Sequence, residues 1–228
     1  MTIVGLVFST YLQPVLKALR PDGQFYEGYH NELISTALSS DILAAFLPAL
    51  AAIPLSAGYL EDVKSKVSRF FLIRGSYSGY LLEYNIACWL CGGGAIFLGA
   101  LGAWGITATI FLPLERTTEN PTELGAQITS QITLVFLNGG LWAMVGMTMS
   151  TIMESKYIAY ASPFIVYYLL VILYERYFPN AWLLYPKNWL NPEIWPYGVG
   201  GAALFLLELT FLCGLVFYIR GKRRLEQL

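Results

Sequence analysis

Of 228 residues, 56% are hydrophobic and 13% are charged, with net charge −1 and mean hydropathy +0.54. Soluble domains carry about 25% charged residues, so this balance points to an integral membrane protein with small loops and argues against a soluble catalytic domain. It also argues against a nucleic-acid partner, which requires a basic face to neutralise phosphates.

In chain order, residues 2–19 form an apolar stretch interrupted by Gln13, Pro14 and Lys17. It lacks a preceding basic region and a small-residue cleavage pattern, so it reads as a first span rather than a signal peptide. Residues 20–36 are polar, with a turn at Pro21, Asp22 and Gly23. Ser39, Ser40 and Asp41 are good helix caps ahead of a second span at 41–59, which contains Pro48 and Pro54. Residues 60–82 join this span to the next. Val63, Val67, Phe70 and Phe71 recur there near helical spacing with charges between them, which predicts an amphipathic helix. An interfacial helix lying on lipid would show the same pattern.

The third span is predicted at 83–112 and is rich in glycine, including Gly92, Gly93, Gly94, Gly99, Gly102 and Gly105. Small residues let helix backbones approach closely in lipid, so this span is expected to pack against another helix. Further spans are predicted at 128–152, 158–174 and 198–218. Between the last two, ERYFPNAWLLYPKNWLNPEIWPY (175–197) carries three tryptophans, four prolines and three tyrosines. Trp and Tyr favour the membrane boundary, which predicts short interfacial or re-entrant helices. The fold class expected is therefore all-α, with six spans in a single transmembrane domain, 1–228.

Six spans place both termini on one side. With the tail and the 60–82 joint in the cytoplasm, that side holds Lys64, Lys66, Arg69, Arg74, Lys156, Arg220, Lys222, Arg223 and Arg224, nine of the basic residues. The other side holds five: Lys17, Arg20, Arg116, Arg176 and Lys187. The excess of positive charge inside supports this orientation.

Few residues suggest chemistry. Cys88 and Cys91 form a CxxC inside an apolar segment, where they read as small soft residues on a buried helix face. The lone histidine, His30, argues against a zinc site, and HExxH and Walker GxxxxGK[ST] motifs are absent from the sequence. Glu208, in FLLELTFL, lies midway along the last span. A carboxylate at that depth is costly, so it is either part of a substrate path or a hydrogen-bonded structural group.

The stretches FLPALAAIPLSAGYLED (46–62), SRFFLIRGSYSGYLLEYNIA (68–87) and CGGGAIFLG (91–99), set in this six-span order, resemble the type-2 permease family. These are the membrane subunits of ATP-binding-cassette exporters. The resemblance implies that residues 60–74 are a coupling helix docking on a separate ATPase subunit. Glu61, Lys64, Lys66 and Arg69 would be its contacts. It further implies a second permease chain, the same or homologous, and a lipid environment in a bacterial cell membrane. ATP and Mg would sit on the partner, with no cofactor on this chain. The cargo implied is an amphipathic substrate such as a small peptide. A reading from another class is a non-transporting assembly or sensor subunit whose basic joint recruits a soluble protein.

Overall fold

The computed structural model describes residues 28–68, 76–115 and 124–226. The predicted span at 2–19 lies outside them. Among the described residues the chain is helical, without strands. The α-helices are α1 (Tyr29–Leu38), α2 (Asp41–Ala52), α3 (Gly58–Lys64), α4 (Tyr77–Phe111), α5 (Leu124–Met153), α6 (Lys156–Ile172) and α7 (Gly198–Leu225).

Four segments among the described residues are long and apolar enough to cross a membrane: Tyr77–Phe111, Ile128–Met153, Lys156–Tyr177 and Gly198–Leu225. A fifth is obtained if α1 and α2, bent by 64° at their junction, count as one. The second predicted span divides at Pro54. Helix α2 stops at Ala52, a turn follows, and α3 resumes at Gly58, as expected where proline removes a backbone donor and clashes with the preceding turn. Ser40 caps α2 by accepting from the Leu43 amide (3.3 Å), and Ser76 caps α4 by accepting from Gly79 (3.1 Å). The Ser76 cap starts α4 earlier than the predicted 83.

Helix α1 falls largely in the stretch read from sequence as a polar linker. Its Leu33, Ile34, Ala37 and Leu38 share one buried face, and that burial outweighs the polar residues Asn31 and Glu32. Its start is capped from far along the chain. Glu115 accepts from the backbone amides of His30 (2.8 Å) and Gly28 (3.0 Å) and lies 2.7 Å from His30 Nδ1. Burial opposes the Glu115 charge, but the hydrogen bonds from His30 and Gly28 outweigh it and hold the carboxyl below its ordinary range.

Helix α5 is the centre of the bundle. In its most apolar window 83% of residues are buried, against 22–33% in the other three spans. It also has the lowest mean hydropathy of the four, 1.5, and buries Gln131, Asn138, Thr148, Ser150 and Thr151. A helix surrounded by protein has no need of a lipid-facing side. Helix α4 crosses it at a glycine contact. A Cβ on Gly93 would come within 2.7 Å of the Phe136 carbonyl, and one on Gly139 within 2.9 Å of Ile96. Gly94 and Gly105 face open space. The close approach expected of the glycine-rich span therefore rests on Gly92 and Gly93, not on the whole run.

The aromatic segment folds into three 3-10 turns, Trp182–Leu184, Pro186–Leu190 and Pro192–Ile194, following a π turn at Leu173–Tyr177. Trp189 stacks on Trp142 of α5 with ring centres 5.7 Å apart, and Trp195 packs on Phe205 of α7. The indole N–H groups of Trp189 and Trp195 donate to Leu183 O and Asn188 O. Lys187 pairs with Asp41 at the start of α2 (3.0 Å). Burial disfavours the Lys187 charge, and the hydrogen bonds to Asp41 and Tyr185 more than offset it, raising its pKa. These turns and α1 define one end of the bundle. Helix α3, the link between α5 and α6, and the end of α7 define the other, called here the tail end.

Candidate functional site

Helix α3 is short and two-faced. Tyr59, Leu60 and Val63 are buried, while Glu61 and Lys64 are exposed. The amphipathic helix predicted over 60–82 is interrupted: α3 ends at Lys64, and Lys66 adopts a left-handed conformation (φ 62°) that breaks the helical run. Residues 69–75, including Arg69 and Arg74, lie outside the described residues.

Two spanning helices and the link between two others hold α3 in place. The Tyr59 hydroxyl donates to Gly221 O of α7 (3.2 Å) in a buried setting, with the ring edge-on to Phe217. A Cβ on Gly221 would fall 2.7 Å from Leu81 Cδ2 and 3.3 Å from the Tyr59 hydroxyl, so a larger residue here would displace the Leu81 side chain. Asp62 accepts from the hydroxyls of Tyr80 and Tyr84, one turn apart on α4. Lys64 Nζ donates to the Glu154 carbonyl (2.6 Å) in the link between α5 and α6. Glu154 is itself left-handed (φ 56°), and its carboxylate pairs with Arg224 of α7 (3.4 Å). Arg224 also donates to Thr151 O (3.5 Å).

Beside these contacts a groove of about 450 Å³ opens at the surface, lined by Leu60, Glu61, Lys64, Glu154, Lys156 and Tyr157 among others. Two acids, two bases and an exposed tyrosine give it both charge signs and an aromatic edge. Of the four residues predicted to contact a partner, Glu61 and Lys64 line this groove. Lys66 is exposed nearby and Arg69 is not described. Lys64 is committed to the Glu154 carbonyl, which gives it a structural part that the sequence did not disclose. The Asp62 anchor was also missed, although Tyr80 and Tyr84, four residues apart, carry a readable signal for a shared partner.

Glu208 stands apart from this site. It lies on the exposed face of α7 with Leu204, Phe211 and Leu215, and makes no hydrogen bond or ion pair through its side chain among the described residues. Cys88 is buried and donates to Ala143 O (3.5 Å), whereas Cys91 is exposed. The buried face read for the pair therefore holds for Cys88 alone. No group of three or more His, Cys, Asp or Glu suited to a metal occurs among the described residues.

Set against known proteins, the sequence matches no protein-family model and no curated protein.

Proposed function

We propose that the chain is the permease subunit of an ATP-binding-cassette exporter. A partner ATPase docks on the tail end and supplies the ATP and Mg site. In this reading the chain crosses the membrane six times with both termini cytoplasmic, the coupling element lies within residues 60–74, and a second permease chain completes the pathway for an amphipathic substrate such as a peptide.

Support comes above all from the way α3 is fastened. A seven-residue helix exposes Glu61 beside an open groove while its other face is tied to α4, the α5–α6 link and α7. A push on α3 by a docked protein is passed to α4, α7 and the α5–α6 link at once, because packed interiors yield little to local displacement.

The test is purification of the tagged chain from its native membrane in mild detergent. Recovery of a stoichiometric subunit with a Walker loop supports the proposal. The double variant Glu61→Ala/Lys66→Ala, which spares the Lys64 anchor, should then weaken the stimulation of its ATPase activity about tenfold, the size expected from losing charged contacts at an interface. Recovery of the chain alone, or with non-ATPase partners, refutes the transporter reading and favours a recruiting subunit.

A further inference from the structure

Helices α4 and α7 part to leave a second groove, of about 430 Å³. This is within the roughly 300–1,000 Å³ of small-molecule sites. Its rim is formed by Leu82 and Ile86 of α4 and Phe211 and Leu215 of α7, all exposed. On helices this long and apolar, that rim faces lipid. The Asn85 amide donates to Gly214 O (3.3 Å) and ties the two helices together.

Toward the tail end the groove changes character. Its last lining residue on α7 is Tyr218, whose hydroxyl donates to Ser78 of α4 (3.0 Å). One turn further stands Lys222. Phe211, Leu215, Tyr218 and Lys222 follow one another at i, i+4, i+7 and i+11, so they share one stripe of α7. A helical side chain leans toward the N-terminus of its own helix, which tilts Lys222 back over the mouth of the groove. Lys222 is exposed and makes no hydrogen bond or ion pair through its side chain among the described residues. The neighbouring bases are placed differently. Arg224 is paired with Glu154 (3.4 Å), and Arg220, two residues before Lys222, projects about 200° away around the helix. Glu83, the one acid of α4, lines a separate cleft with Asp62, Tyr80 and Tyr84.

We infer that this groove binds an anionic phospholipid of the tail-side leaflet, with its phosphate on Lys222 and one acyl chain along Leu215, Leu82, Ile86 and Phe211. Eleven residues of helix, about 16 Å, separate Lys222 from Phe211, so a headgroup at the first lays its chain against the others. The apolar rim accepts the chain of any membrane lipid. The cation at its mouth selects a net negative headgroup, because a zwitterion brings a positive charge of its own to the same place. The site is independent of whether the protein transports. Only the assignment of that leaflet to the cytoplasm rests on the proposed topology.

The full chain is purified in mild detergent and offered equal amounts of phosphatidylglycerol and phosphatidylcholine with identical acyl chains. Native mass spectrometry reads which lipid the first bound copy is. Phosphatidylglycerol should lead about fivefold, the effect of one basic residue on an anionic headgroup. Lys222→Gln should bring the two lipids within twofold, and Lys222→Arg should keep the preference. Arg220→Gln removes the same charge two residues away on the other side of α7 and should leave the preference unchanged. Phosphatidylglycerol with a photoreactive diazirine in its acyl chain should label the 82–86 and 211–215 segments. Equal binding of both lipids to the unaltered protein, equal losses for Lys222→Gln and Arg220→Gln, or even labelling of all exposed spans would each overturn the assignment. Equal losses would mean that the basic end of α7 attracts anionic lipid as a whole, without a site. The substituted side chains are exposed and hold no other helix, so the variants fold as the parent does.

Discussion

Replacing Gly93 by alanine tests whether the α4–α5 crossing is set by backbone contact. The new Cβ would stand 2.7 Å from the Phe136 carbonyl oxygen and 2.9 Å from the Phe136 ring. The oxygen belongs to the backbone of the central helix and cannot swing aside, so the two helices must separate. Overpacking of this kind costs about 1–3 kcal/mol. Removing a glycine from a helix interior returns roughly 0.5–1 kcal/mol, which leaves a net loss of about 1–2 kcal/mol. Gly94→Ala is the matched control. It has the same helical position within one residue, but nothing within 4 Å of the new methyl, so it should gain about 0.5–1 kcal/mol. The two variants therefore differ by about 2 kcal/mol, or roughly 4–8 °C in midpoint for a chain of this size. Thermal unfolding in mild detergent, followed by the loss of the monodisperse elution peak, measures the difference. Equal shifts for both variants would refute the claim that Gly93 sits at a contact that tolerates no side chain.

Three further outcomes are expected. Glu115→Gln should cost about 1–2 kcal/mol near neutral pH by weakening the cap on α1. Because the folded pKa of Glu115 is lowered, its stabilising effect is present above the ordinary carboxylate range and fades as pH falls through that lowered value. Unfolding scans of both proteins down a pH series should therefore converge in acid. Tyr59→Phe should cost about 1 kcal/mol by stripping the Gly221 carbonyl of its buried donor, and amide hydrogen exchange should rise at the end of α7 before it rises in α5. Glu208→Leu should raise the unfolding midpoint of the isolated chain by a few degrees, since it removes a costly carboxylate from an apolar face. A fall in the midpoint would show that the carboxylate is held by a partner group.

Much of the architecture was readable because hydropathy over some twenty residues is a strong signal. The spans at α4 to α7 fall close to their predicted positions, whereas the span predicted at 41–59 breaks after Ala52, just ahead of Pro54. Legibility ended where distant residues decide the outcome. Helix α1 begins where Glu115, 85 residues away from His30, supplies its cap, and no local pattern announces that. The rank of the helices was hidden for a different reason. Hydropathy measures suitability for lipid, so α7 stands out at 2.2 and the central α5 is the weakest of the four. Glu208 shows the same limit. Apolar residues surround it on every side of α7, so periodicity could place it at mid-span but not say which way it faces. At the tail end the charges of α3 were visible, but the structural tie of Lys64 to the Glu154 carbonyl depends on a left-handed turn that only the assembled chain presents.

Only Glu154 and Ser155 separate α5 from α6, which bears on how the protein is made. On leaving the ribosome, α5 is the least lipid-soluble of the four spans: Thr148, Ser150 and Thr151 bond to its own carbonyls, but it also carries Gln131 and Asn138, whose amides lipid cannot satisfy. The more apolar α6 follows after two residues, with the left-handed Glu154 already turning the chain back. A link this short is expected to bring the two helices into the bilayer as one hairpin, the second carrying the first. Biogenesis thus depends on the tightness of that link. A flexible insertion between Met153 and Lys156 would uncouple the pair and leave α5 to partition alone.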